Sequence, residues 1–347
     1  MRSGLLLPLL LAGTLLGGPA RADGDLIVFH AAYGAAGSIV VDGRMIERHA
    51  EHPPAASDGR LHNLRRTTRR FANDERKGRP LTLTLGQHSW PLQTDDEGYF
   101  HLDAETALPP GWHPLAAQSG KTVGEGRLLL APPGNTRGLI SDIDDTVVVS
   151  EVLSKRRLLA NTFLKNPAQR QAVPGVAALY AQVAATNPQA DAAPLFYLSA
   201  SPRQLHAPIA DFLARHDFPA GVLLTKRVSD DRKSDPWTDQ FRFKTNRIEE
   251  IFARLPEVRF ILVGDDGEKD PEIYDRIRRQ HPGRVEAIWI RRVNPDPARP
   301  RFAGQDDLAD ILAAGYLPAA YPPGRTTGDS AEGPSSAAAS GKRQAAY

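Results

Sequence analysis

The chain has 347 residues, 43 Lys and Arg against 41 Asp and Glu, and no cysteine. That length is enough for two hydrophobic cores. The missing cysteine excludes disulfides, thiolate metal sites and a cysteine nucleophile, and the near balance of charge argues against a nucleic-acid partner.

The N-terminus reads as a secretion signal. Arg2 supplies a basic start, Leu5 to Leu16 an apolar stretch, and Ala20-Arg21-Ala22 a cleavage site of small residues. The apolar stretch is short for a bilayer span. Residues 1–22 are therefore expected to be removed and the protein exported, to the periplasm or beyond, with an uncleaved anchor as the alternative. The mature chain would carry 41 basic residues against 41 acidic ones.

Residues 23–133 are expected to form a β-rich, sandwich-like domain. The runs 26–29, 38–41, 81–85 and 128–130 are apolar and β-prone, with Gly, Pro and Asp between them. Thr82 and Thr84 alternate with Leu81, Leu83 and Leu85, as in a half-buried strand. Asp95 to Gly98 reads as the turn of a hairpin joining 90–93 to 99–102. The basic run from Arg60 to Arg79 is read as a solvated face, with peripheral contact to anionic lipid headgroups as the alternative. His49, His52 and His62 match no helical zinc spacing and are read as surface residues.

Pro132-Pro133-Gly134-Asn135 marks a junction. From 134 to 320 strand and helix patterns alternate, which predicts an α/β domain with a parallel sheet. Strands are expected at 138–143, 194–199, 222–228, 258–263 and 285–291, several of them apolar on both faces. Helices are expected after Ser201-Pro202, around Ile248 to Leu255, and from Asp270-Pro271. From 321 to 347 the composition turns to Gly, Ser, Ala and Pro, the pattern of a disordered tail.

The segment Ser141-Asp-Ile-Asp-Asp-Thr146 carries the chemistry. Three carboxylates in four positions would repel one another in a core unless a cation binds there. Asp142 and Asp144, two apart on an extended chain, point the same way and can divide the work of nucleophile and general acid/base. An EF-hand loop would need Gly and Glu where Val147 and Leu153 stand. In open α/β sheets, ligands bind beyond the carboxyl ends of the strands. There Ser199 and Ser201 offer hydroxyls, Ser201 with helix capping as its competing role. Asp265 and Asp266 follow another strand, Asp270 is placed to cap the next helix, and Lys244 heads a helix where positive charge invites a bound anion.

In this order, Asp142-Ile-Asp144-Asp-Thr146, the strand ending in Ser199, Lys244 and Gly264-Asp265-Asp266 resemble the four motifs of the haloacid-dehalogenase-like phosphatases. More narrowly, Ser141 to Thr146, Leu198-Ser-Ala-Ser-Pro202 and Gly264 to Asp270 with Pro271 and Tyr274 resemble the catalytic domain of actin-patch-protein-type phosphatidate phosphatases. The resemblance covers roughly residues 135 to 300. It implies a doubly wound, Rossmann-type parallel sheet and Mg²⁺-dependent hydrolysis of a phosphomonoester, phosphatidate to diacylglycerol in the named relatives. It implies Asp142 as nucleophile and Mg²⁺ ligand. Asp144 would be the acid/base, with its carbonyl on the metal. Ser199, Lys244, Thr146 and Ser201 would lie at the substrate phosphate, and Asp265 would complete the metal site, Asp266 being its alternative. Another lipid or soluble phosphomonoester is the first rival, and a non-catalytic cation-binding module the second. Trp237, Phe241 and Phe243 are read as packing residues, with acyl-chain contact as the alternative.

Overall fold

The structure, a computed structural model, describes residues 24–35, 37–48, 57–59, 63, 65, 76–149, 169–227 and 240–316. The expected signal segment, the tail, the three histidines at 49, 52 and 62, Trp237 and most of the basic run lie outside the described residues.

Alternating and β-branched runs in the first third build β1 (Gly24–Ala35), β2 (Gly37–Arg48), β3 (Pro80–Leu85), β4 (His88–Gln93), β5 (Tyr99–Thr106), β6 (Gly111–Ser119) and β7 (Thr122–Leu130). They form one seven-stranded sheet in the order β4-β3-β6-β7-β1-β2-β5. Only β1 and β7 pair in parallel among its neighbours. In β3, Leu81, Leu83 and Leu85 are buried while Thr82 is exposed, the expected alternation.

Two expectations are corrected here. The sandwich of two stacked sheets is replaced by one sheet whose edge strands β4 and β5 approach each other, nearly closing a barrel around Ile39, Val41, Leu83, Leu115 and Leu128. Near-closure turns one face of the strands inward without a second layer and brings the two open edges together. The segment Asp95–Gly98 does turn, with Asp95 N donating to Tyr99 O at 2.8 Å. Its flanking strands nevertheless do not pair, since β4 joins β3 and β5 joins β2. A local turn signal fixes the reversal of the chain and not the partner.

Beyond the junction, β8 (Arg137–Ser141), β9 (Leu195–Pro202), β10 (Val222–Lys226), β11 (Arg259–Asp265), β12 (Val285–Arg291) and the short β13 (Asp306–Asp307) form a six-stranded sheet ordered β10-β9-β8-β11-β12-β13. Every pair in it is parallel. Successive side chains point to opposite faces. Leu139, Tyr197, Val263 and Trp289 therefore pack on one face, with α1 (Val176–Ala185), α2 (His206–Arg215) and α5 (Leu308–Ala314). Ile140, Phe196, Leu262 and Ile288 pack on the other, with α3 (Gln240–Arg254) and α4 (Asp270–Gln280).

The second face has a further neighbour. Ala31, Tyr33, Leu129 and Ala131 of the barrel-like sheet belong to the same apolar cluster, so the two sheets share a core. Asn135 at the junction donates from Nδ2 to Gln189 O at 2.8 Å and Ala192 O at 3.0 Å, which pins the crossing point. The helix expected at Ser201-Pro202 begins later. β9 continues through Pro202, a 3-10 turn covers Arg203–Leu205, and α2 starts at His206.

β8 lies between β9 and β11. The segments that follow these three strands therefore emerge side by side at the carboxyl edge of the sheet.

Candidate active site

β8 delivers Asp142 to that edge, and the backbone N–H of Asp142 still pairs with Val263 O at 2.8 Å. The chain then makes one helical turn, with Val147 N donating to Ile143 O at 3.0 Å. Asp145 takes a left-handed φ of 59°, unusual for a residue with a side chain. Arg291, at the end of β12, donates to Asp145 O at 2.5 Å and holds this turn. The sequence offers no signal for that role of Arg291.

Asp142 is buried beside two further carboxylates. Ligand oxygens of Asp142, Asp265 and Asp270 all lie within 4.8 Å of one another, and each residue is buried. Lys244 reaches in from α3. Its Nζ is 2.8 Å from Asp142 Oδ1, 2.6 Å from Asp270 Oδ1 and 3.8 Å from Glu268 Oε2. Thr146, wholly buried, donates from Oγ1 to Asp142 Oδ2 at 3.2 Å. Thr146, expected at the substrate phosphate, orients the Asp142 carboxylate through this bond.

Burial pushes the Asp142 carboxyl well above its ordinary range, and Asp270, Asp265 and Glu268 push the same way against the pull of Lys244. Burial and the charge of Asp270 do the same to Asp265. For Lys244, burial works against the charged form, but Asp142, Asp270 and Glu268 outweigh it and hold the ammonium protonated. Three buried carboxylates thus face one ammonium.

This donor set fits a divalent cation. All its ligand atoms are carboxylate oxygens, suited to a hard ion. The uncompensated charge is negative. Asp265 Oδ2 is fully buried and accepts no hydrogen bond among the described residues, while Oδ1 is taken by the N–H groups of Gly267 at 2.7 Å and Glu268 at 3.2 Å.

Asp144 lies next to the cluster, half-buried. Its Oδ2 accepts from Ser199 Oγ at 3.2 Å and from Ser201 Oγ at 3.0 Å. Ser201 N in turn donates to Ser199 Oγ at 3.0 Å. Ser201 is therefore no helix cap: it sits in β9, five residues before the start of α2, and its hydroxyl is spent on Asp144. Asp266, expected as an alternative metal ligand, is engaged elsewhere. Its Oδ1 accepts from Val293 N at 2.6 Å and Asn294 N at 2.8 Å, which anchors the loop after β12.

Asp270 is the residue that the sequence reading misplaced. A carboxylate just before Pro271 at the start of a helix looks like a cap, yet no side chain caps α4. Its carboxylate turns back to Lys244 and the cluster because Gly264 leaves room for it. A Cβ at position 264 would meet Asp270 Oδ2 at 2.5 Å and Tyr274 Cε2 at 2.7 Å. Gly264→Ala is accordingly expected to displace the start of α4, lowering stability by about 1–3 kcal/mol. It should also weaken the protection that added Mg²⁺ gives against urea. Equal protection of variant and parent would remove Asp270 from the cation site.

Residues 137–292 match the sequence model of the phosphatidate phosphatase APP1 catalytic domain. This segment is similar to that family of catalytic domains. The APP1-type segment contains every residue of the cluster described above. Among curated proteins, the phosphatidate phosphatase APP1 of Saccharomyces cerevisiae is 34% identical over 154 residues, which is 44% of this chain and 25% of that protein. An uncharacterized protein of Schizosaccharomyces pombe is 27% identical over 162 residues, 47% of this chain and 26% of that protein. The chain thus spans about a quarter of the length of the curated relatives it matches. Among solved structures, a chain of the Pnkp1/Rnl/Hen1 complex aligns over 48% of this chain and 49% of its own, at 17% identity and a TM-score of 0.31. That score is too low to bear on fold or function.

Proposed function

We propose that the protein is a Mg²⁺-dependent phosphatase that hydrolyses a phosphomonoester through an aspartyl-phosphate on Asp142, with phosphatidate as the substrate and diacylglycerol and phosphate as products. The observation that carries this reading is the juxtaposition, within the APP1-type segment, of a buried carboxylate cluster with its one ammonium and a separate carboxylate, Asp144, held by two serine hydroxyls. The parallel order β10-β9-β8-β11-β12, with Asp142 leaving the central strand and helices on both faces, supports a doubly wound, haloacid-dehalogenase-like catalytic domain over 134–320. The barrel-like sheet would be a separate domain packed against it.

In the first step an oxygen of Asp142 forms a bond to phosphorus as the ester P–O bond breaks, and Asp144 gives a proton to the departing alkoxide. In the second, Asp144 takes a proton from water, whose oxygen attacks phosphorus and returns Asp142 as a carboxylate with release of inorganic phosphate. Lys244 stays charged throughout and, together with Thr146, fixes the direction of the Asp142 carboxylate. Ser199 and Ser201 hold Asp144 facing outward and lie where phosphoryl oxygens would arrive. A bound Mg²⁺, held by carboxylates of Asp142, Asp265 and Asp270, would supply charge neutralisation for the phosphoryl group. Phosphoryl transfer asks a protein for little besides such positioning and neutralisation.

The test is phosphate release by the purified protein with Mg²⁺, from phosphatidate in mixed micelles and from a panel of soluble phosphomonoesters. Preference for phosphatidate, abolished by EDTA, is the expected result. Release from soluble esters alone would discard the lipid and keep the catalytic residues. Release from none would favour a cation-binding module.

A further inference from the structure

Between the two sheets runs a crevice that the catalytic reading does not use. Its volume is about 1280 Å³, and it passes between β1, β2 and β5 on one side and α3 on the other. One stretch of its wall is apolar, made by Tyr33, Val40, Ala131, Leu224, Leu255 and Val258.

Almost every charged side chain on the wall has a partner of opposite sign. Asp42 lies 2.8 Å from His101, Asp95 2.9 Å from Arg227, Asp103 2.7 Å from Arg254, and Glu250 2.6 Å from Arg247. Arg203 does not. Among the described residues no carboxylate comes within ion-pair distance of it, and its Nε donates only to Thr225 O, at 3.4 Å. Its guanidinium lies 5.0 Å from the centre of the Tyr99 ring, over which Arg227 and Arg44 also lie, at 4.2 and 4.7 Å. The remaining wall carboxylate, Glu257, precedes β11 at the amino edge of the sheet, whereas Arg203 follows β9 at the carboxyl edge. They are separated by about the length of a strand, roughly 20 Å.

Among the described residues, two imidazoles lie behind Arg203. His206 and His30 stand there with rings 5.2 Å apart. Burial, and then the charge of Arg203, pulls His206 down to about 4, and the same causes hold His30 well below its ordinary value. Among the described residues neither ring nitrogen of the buried His30 has a hydrogen-bond partner. Burial disfavours the charged form of Arg203, and Asp42, the carboxylate that pulls the other way, is itself bonded to His101 and forms no ion pair with Arg203, which leaves the guanidinium room for an anion in the apolar-walled crevice.

We propose that this crevice is a second, non-catalytic binding site for an anionic amphiphile, its phosphate-type or carboxylate headgroup on Arg203 and its aliphatic chain along the Tyr33, Ala131, Leu255 and Val258 wall. The site is distinct from the Asp142 cluster. None of Asp142, Lys244, Asp265 and Asp270 lines the crevice. It draws on the barrel-like sheet, which lies outside the matched catalytic segment.

Calorimetric titration of the full chain tests this, with decyl phosphonate and decanoate as probes below their micelle concentrations. EDTA is included so that the acidic cluster, lacking a cation, repels anions. One site is expected, with methyl phosphonate binding far more weakly and decyltrimethylammonium not at all. The phosphonate-to-decanoate ratio identifies the preferred headgroup. Arg203→Met should weaken decyl phosphonate at least tenfold, as loss of a charge-assisted contact does. Ala253→Trp, which fills the crevice from α3, should remove the advantage of the decyl chain over methyl. Asp142→Asn should leave affinity within about twofold, so a failed catalytic reading would not touch this result. Unchanged affinity in Arg203→Met, equal binding of the ammonium probe, or an Asp142→Asn effect as large as that of Arg203→Met would each overturn the proposal.

Discussion

Asp142→Asn is expected to lower turnover by on the order of 10⁴-fold or more, because an amide oxygen cannot form the acyl-phosphate and no neighbour replaces it. The amide fits the space of the carboxylate: its one oxygen can accept from Lys244, and its amino group can donate to the Thr146 hydroxyl, which reverses that contact. It also removes one of three mutually repelling buried carboxylates, so the variant without metal should melt no lower than the parent. Steady-state kinetics and thermal melts on the same preparations check both halves. Activity within tenfold of the parent would exclude Asp142 as nucleophile. A collapse of stability would show that Lys244 depends on Asp142 more than on Asp270.

Lys244→Met should act in the opposite sense, on the fold first. It leaves Asp142, Asp265 and Asp270 buried with no ammonium among them, and removing one partner of a buried ionic group costs about 3–5 kcal/mol. The direction with pH follows from linkage. A lysine whose pKa is raised above its ordinary 10.5 stabilises fully below that value and loses its contribution as pH rises through the folded value. The parent therefore keeps this contribution at neutral pH. Carboxyls raised above their ordinary 3.8 do the reverse: the native state binds more protons than the unfolded one, and stability falls as pH climbs from that value. Without Lys244 the acid side dominates. The variant, in EDTA, should be more stable at pH 5 than at pH 8 in urea titrations, and Mg²⁺ should recover much of the difference at pH 8. A flat response to both pH and Mg²⁺ would show that the cluster is not charged as described.

Legibility from sequence tracked the range of the interactions involved. The five main strands of the parallel sheet were readable because burial on both faces makes their apolar runs continuous, as in Leu195 to Leu198 and Phe260 to Val263. Asp142, Asp144, Ser199 and Asp265 lie near one another because strand ends of such a sheet converge at one edge, whereas Lys244 reaches them from a helix and was singled out by the family resemblance. What failed was longer in range or finer in detail. The partners of β4 and β5 depend on closure of a whole sheet, which no turn signal encodes. Asp270 and Asp266 carry the same charge at positions that look alike in sequence. One points to Lys244 because Gly264 has no side chain, and the other points to the Val293 and Asn294 amides. Arg203 was silent because its distinction, the lack of a carboxylate within ion-pair distance among the described residues, is set by the packing of distant segments.

The central claim is that Asp142 carries the phosphoryl group between two half-reactions. Acid quenching of a single turnover, followed by mass mapping of the peptide containing Asp142, tests it most directly. The account predicts a transient, base-labile phosphate on Asp142, absent from Asp142→Asn and dependent on Mg²⁺. Phosphate release at the parent rate with no phosphorylated peptide, or with phosphate on another residue, would contradict it.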